Sequence, residues 1–174
     1  MAFYKWPRQH NGYTFNWDEM IQDSNHDSWP RLFAIIGEEM NVEYYEDSAS
    51  TSTDDICPGF AAMGYKDMIL SYFTKDAVNN DVRRSKPLLV TGHHSKNNQQ
   101  PFNTGHGWVI DGGYNIINGL AIGIDPVGSD YYRCIWGWGG EANGYYKFTS
   151  SSFSTSNGFV FKNLHFVQNL NIKN

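Results

Sequence analysis

From Pro87 onward the chain is a succession of short apolar runs closed by Gly, Asn, Asp or Pro, and this pattern narrows the fold more than any other feature. The runs cover residues 88–90, 108–110, 120–124, 131–136, 145–148 and 159–166. Apolar runs of this length between turn residues read as strands, and consecutive strands on tight connections pair antiparallel. Ahead of Pro87 the spacing is helical instead. Asn16 caps a short turn with acids behind it, Asp27 or Ser28 opens a helix over 29–36 closed by Gly37, and Thr53 or Asp54 opens another that Gly64 stops. Trp29, Leu32, Phe33 and Ile36 share one face of the helix over 29–36. Thr74, Val78 and Val82 repeat the helical period until Lys86-Pro87 breaks it. Residues 12–15 read as extended, and 47–53 and 93–103 as polar loops, the latter exposed. The expected class is α+β, a helical front third with an antiparallel sheet behind it.

Composition agrees with that class and excludes others. A chain of 174 residues is long enough for a single domain with a sizeable core. Aromatics at 16% and 17 glycines suit a strand-rich fold with many turns. A net charge of −5 argues against a nucleic-acid partner, which needs a basic stripe. No apolar run reaches the length of a membrane span. The first seven residues read as the last turn of an amphipathic helix closed by Pro7. One isolated turn is unstable, so further residues are expected before Met1. Cys57 and Cys134 lie in apolar contexts and are expected as unbridged buried thiols. Neither suits a nucleophile: Cys134 sits on a strand among bulky residues with no cationic partner or helix N-terminus for its thiol, and Cys57 is followed at once by Pro58 and Gly59.

The chemistry concentrates in Thr104-Gly105-His106-Gly107-Trp108-Val109-Ile110-Asp111-Gly112 and in Trp136-Gly137-Trp138-Gly139-Gly140. Histidine is the side chain that titrates near neutrality, so His106 on a strand is a candidate acid or base. Gly105 and Gly107 leave room for a substrate backbone. Strand alternation puts His106, Trp108 and Ile110 on one face and Asp111 on the other, so Asp111 is expected to cap a turn at Gly112-Gly113 rather than orient His106. The tryptophan-glycine segment has three readings: a core turn, a carbohydrate-stacking platform, or an indole that shields His106 from water. His93, His94 and His106 lack a second ligand pair at metal-binding spacing, so no metal is assigned. No cofactor is expected.

These motifs, in this order, resemble the streptopain-like (C10) cysteine peptidases. Phe15-Asn16-Trp17-Asp18-Glu19-Met20 is similar to the family's aromatic-x-Trp-Asp-x-Met segment. Leu32 to Gly37, with Tyr44 or Tyr45 and then Ser48 to Ser50, resembles its next helix and Ser-rich loop. Lys86-Pro87-Leu88-Leu89 leads to the histidine segment, which resembles Gly-His-Ala-x-Val-x-Asp-Gly. Trp136 to Gly140 with Asn143-Gly144-Tyr145-Tyr146 resembles Asn-Trp-Gly-Trp-Gly-Gly-x-x-x-Gly-Tyr. The resemblance implies a papain-like fold, with residues 1–174 as the C-terminal portion of a single peptidase domain truncated at its front.

It further implies acyl transfer by a thiolate–imidazole pair. His106 is then catalytic, with Trp136, Gly105 and Gly107 supporting it and Gly137, Trp138 and Gly139 along the substrate groove. The implied partners are a protein or peptide substrate and a propeptide or inhibitor, and the implied location is secreted or extracytoplasmic. Two departures stand out. The family's cysteine helix lies before Met1, and Ile135 replaces the asparagine that precedes the tryptophan. Isoleucine accepts no hydrogen bond, so the tautomer of His106 falls to a backbone carbonyl or a water. That departure supports the alternative of a non-catalytic relative that binds peptide or inhibits a partner protease.

Overall fold

Asn16 closes the head of the first helix with its own side chain, accepting the Glu19 N–H at 3.4 Å, and the elements follow from such local signals. The computed structural model describes residues 5–24, 26–96, 104–117, 120–122, 129–149 and 151–172. The chain divides into two compact units, residues 1–67 with 171–174, and residues 68–170.

In the first unit, β1 (Gln9–His10) and β2 (Tyr13–Thr14) form a small hairpin, followed by α1 (Trp17–Gln22) and α2 (Ser28–Glu39). A second hairpin pairs β3 (Glu43–Tyr44) with β4 (Ala49–Ser50), so part of the polar loop expected over 47–53 is strand, held by its pairing with β3. The Ser52 side chain then caps α3 (Thr53–Ala62), and Gly64 leaves it at φ +90°. Next, β5 (Tyr65–Lys66) opens the way to the second unit. Helix α2 corrects the sequence reading twice. It runs through Gly37, and its buried line is Ser28, Leu32 and Ile35, leaving Phe33 59% exposed. Gly37 does not terminate the helix; a Cβ there would fall on the Tyr44 hydroxyl. At Gly59 a Cβ would meet the Glu39 carbonyl at 2.8 Å, so glycine lets α3 close on the end of α2. Residues 1–4 of the expected helical tail lie outside the described residues, and Lys5, at φ 50°, is not helical.

The second unit contains β6 (Ile69–Tyr72), α4 (Lys75–Arg83), β7 (Leu88–Lys96), β8 (Thr104–Ile117), β9 (Leu120–Ile122), β10 (Ser129–Ile135), β11 (Gly144–Lys147), β12 (Phe153–Ser154) and β13 (Phe159–Gln168). A final strand, β14 (Asn171–Ile172), returns to pair with β5 in the first unit. Among the described residues the main sheet is eight-stranded, in order β11-β10-β8-β7-β13-β12, with β6 on β13 and β9 on β8. Its pairings are antiparallel throughout, so the molecule is α+β with a largely antiparallel sheet.

One face of that sheet buries Leu88, Val90, Trp108, Ile110, Tyr132, Cys134, Phe161 and Phe166, and Val78 of α4 joins the same core. The Tyr132 hydroxyl donates to Asn79 Oδ1 at 2.6 Å inside it. Two sequence readings fail here. His93 to Lys96 are the end of β7 rather than loop, because β13 pairs with them, and residues 97–103 lie outside the described residues. Gly112-Gly113 is strand, not turn: β8 passes straight through. Its register against β10 jumps from Cys134↔Ile110 to Arg133↔Gly112, which makes Asp111 the extra residue of a bulge. Residues 123 and 124 of the third expected run also lie outside the described residues. Among the described residues no helix is long and apolar enough to cross a membrane.

Candidate active site

His106 sits on β8 directly opposite Gly92 of β7, on the face that carries Trp108 and Ile110 toward the core. Gly92 is what lets the aromatic layer close beneath it. A Cβ there would meet Leu164 Cδ2 at 2.6 Å, the Lys162 carbonyl at 3.1 Å and the Trp108 ring at 3.4 Å. The imidazole is half-buried in a socket of rings. Trp138 stacks on it with centroids 4.9 Å apart and planes 28° from parallel. Phe161 lies at 5.9 Å, and Trp108 and Trp136 each at 6.4 Å.

The tryptophan-glycine segment supplies the polar contact. His106 Nε2 lies 2.8 Å from the Trp136 carbonyl oxygen, an acceptor, so Nε2 carries the proton and donates it. That leaves Nδ1 of the neutral ring as a proton acceptor. Gly137, Gly139 and Gly140 hold φ values of 80°, 62° and 91°, a backbone path that other residues adopt only under strain. The turn is tied by Glu141 N–H to the Trp138 carbonyl at 3.0 Å, and the Asn143 side chain accepts the Trp136 N–H at 2.9 Å.

Burial lowers the proton affinity of His106, and the Trp136 carbonyl partly offsets that loss by favouring the charged ring. His94 stands diagonally from it on the same face, 6.4 Å away and nearly perpendicular, between Phe159 at 5.0 Å and Phe161 at 5.2 Å. Burial lowers the His94 pKa too, with further lowering from His106 and His93. Its Nδ1 is buried without a hydrogen-bond partner.

The other sequence candidates fall as follows. Gly105 and Gly107 are exposed on the opposite face of β8. A Cβ at Gly105 meets nothing within 4 Å, and one at Gly107 meets only ordinary contacts near 3.8 Å. Trp136 is fully buried, stacked on Phe161 and tilted against Trp108, each at 4.9 Å, so its ring has no free face for a sugar. Asp111 is engaged away from His106 by a two-pronged pair with Arg133, at 2.7 and 2.5 Å. Cys134 is fully buried, and burial pushes its thiol pKa far up. The Trp108 indole near its sulfur pulls against that rise, although the indole N–H has no partner in hydrogen-bond geometry. Cys57 is half-buried in α3 of the first unit, and neither thiol is bridged. Among the described residues, three or more His, Cys, Asp or Glu side chains nowhere gather as a metal set.

Sequence reasoning did not assign roles to Gly92, Phe161, His94 or Asn143. For Asn143 a signal was present: an Asn-Gly inside a glycine-rich turn is where a side-chain amide satisfies a neighbouring backbone group. A comparison with individually curated proteins finds no match. A family model described as the peptidase C10 family matches residues 1–146, the stretch that contains His106, Trp136 and the glycine turn. On that match, this chain belongs to the peptidase C10 family.

Proposed function

We propose that the chain carries the histidine half of a cysteine-type endopeptidase site, as the C-terminal portion of one papain-like domain in a secreted protein. The observation that carries this reading is the His106 imidazole, stacked in an aromatic socket with Nε2 bound to the Trp136 carbonyl and Nδ1 left to face a reactant. The nucleophile is then a cysteine outside residues 1–174, since Cys134 is fully buried with its thiol pKa pushed up, and Cys57 lies inside α3 with Pro58 and Gly59 directly after it. His106 takes the thiol proton, and the resulting thiolate attacks the peptide carbonyl. The imidazolium then returns the proton to the leaving amine, giving a thioester. Water, deprotonated by the same ring, releases the acid and restores the thiol.

The test is hydrolysis of an unfolded protein by the product of the longer coding region, with and without His106→Ala. Equal hydrolysis by both proteins sinks the reading. Ile135 favours a second one, a pseudopeptidase that binds peptide without cutting it, because no side-chain amide at 135 reaches the imidazole. Saturable binding of an unfolded substrate without new N-termini would select it.

A further inference from the structure

We propose that Asn143 is a positioning residue of this site, replacing at one remove the amide that position 135 lacks. The inference rests on the peptidase reading for its purpose and on two hydrogen bonds for its substance. Asn143 Oδ1 accepts the Trp136 N–H at 2.9 Å, and the carbonyl of the same Trp136 accepts His106 Nε2–H at 2.8 Å. The two bonds flank one residue, so the amide holds the N-side peptide of Trp136 while the ring holds the C-side one.

Trp136 needs such a clamp. Its indole is fixed in the core, but its carbonyl belongs to the peptide shared with Gly137, which sits at φ 80° with open space around its α-carbon. With Gly139 and Gly140 also in left-handed conformations, the peptide after Trp136 has little steric resistance to swinging. Asn143 lies at the far end of that turn, ahead of β11, where Cys134↔Gly144 pairing anchors the chain to β10. The turn is therefore closed across its mouth by the bond from Asn143 to Trp136, and the carbonyl that orients His106 is aimed from within it. Asn143 touches no reacting atom. Its effect passes through the Trp136 backbone to the ring.

The experiment is proton NMR of the imidazole Nε2–H of His106, with the titration midpoint of the same ring, in wild type, Asn143→Ala and Asn143→Asp. The resonance is assigned by its loss in His106→Asn. Wild type should show a slowly exchanging Nε2–H signal. Asn143→Ala should lose it and lower the midpoint, because the carbonyl that favours the charged ring is no longer held. Asn143→Asp keeps an oxygen acceptor for the Trp136 N–H and should keep the signal. Asn143 is exposed, so truncation should leave the fold intact. Should the alanine variant nevertheless unfold, Asn143→Gln, which moves the amide by one methylene, takes its place with the same expected loss. A wild-type signal and midpoint in the truncated or displaced variant overturn the proposal. Because neither readout requires turnover, an inactive protein that behaves as described rejects the peptidase reading alone.

Discussion

Two glycines on neighbouring strands, Gly92 and Gly105, should respond to alanine in opposite ways. At Gly92 the new Cβ lands 2.6 Å from Leu164 Cδ2, and that methyl can shift. The Lys162 carbonyl at 3.1 Å and the Trp108 ring at 3.4 Å belong to a paired strand and a packed core and give way less easily. Overpacking of this kind costs about 1–3 kcal/mol. Alanine recovers about 0.5–1 kcal/mol of backbone entropy within a strand. The net loss is then between about 0 and 2.5 kcal/mol, or up to roughly 10 °C in Tm for a chain of this size. At Gly105 the Cβ meets nothing, so only the entropy gain remains, up to about 1 kcal/mol of added stability. Urea unfolding monitored by tryptophan fluorescence measures both. A Gly92→Ala protein stabilised as much as Gly105→Ala would refute the packing argument.

Three further outcomes follow from named contacts. His106 and His94 bind protons less readily folded than unfolded, so both contributions to stability are complete above the usual histidine value of 6.5 and are lost as pH falls below it. The Tm between pH 8 and pH 5 should therefore decline, and less steeply in His94→Phe; an unchanged slope counts against the assignment. Tyr132→Phe leaves Asn79 Oδ1 without its donor, next to an Nδ2 that already lacks a partner, and should cost about 1–3 kcal/mol by urea unfolding. Asp111→Asn should change stability by no more than about 1 kcal/mol, because the Arg133 partner is half-exposed, and should leave the His106 titration where it was.

Much of the sheet could be read in advance because β7, β8, β10 and β13 each carry an apolar run at a fixed place between turn residues. What escaped was long-range. The polar end of β7 is strand because β13 offers it a partner, and no local pattern in His93-His94-Ser95-Lys96 announces that. Gly112-Gly113 has the composition of a turn but serves a bulge, whose extra residue, Asp111, pairs with Arg133 22 positions away. Gly37 has the look of a helix stop, yet its missing side chain makes room for Tyr44. At the candidate site, the sequence pointed to His106 and to a backbone carbonyl or water in place of the absent asparagine. It did not say which carbonyl, because that depends on the path of the glycine turn after Trp136.

The most direct measurement is the pH dependence of thiol alkylation by iodoacetamide in a protein extended upstream of Met1, as the proposed function requires, with peptide mapping to identify the labelled cysteine. The account predicts labelling at a cysteine other than Cys57 and Cys134, with a midpoint well below the usual thiol value of about 8.5 that moves upward in His106→Ala. Labelling confined to Cys57 and Cys134, or a midpoint indifferent to His106, would contradict it.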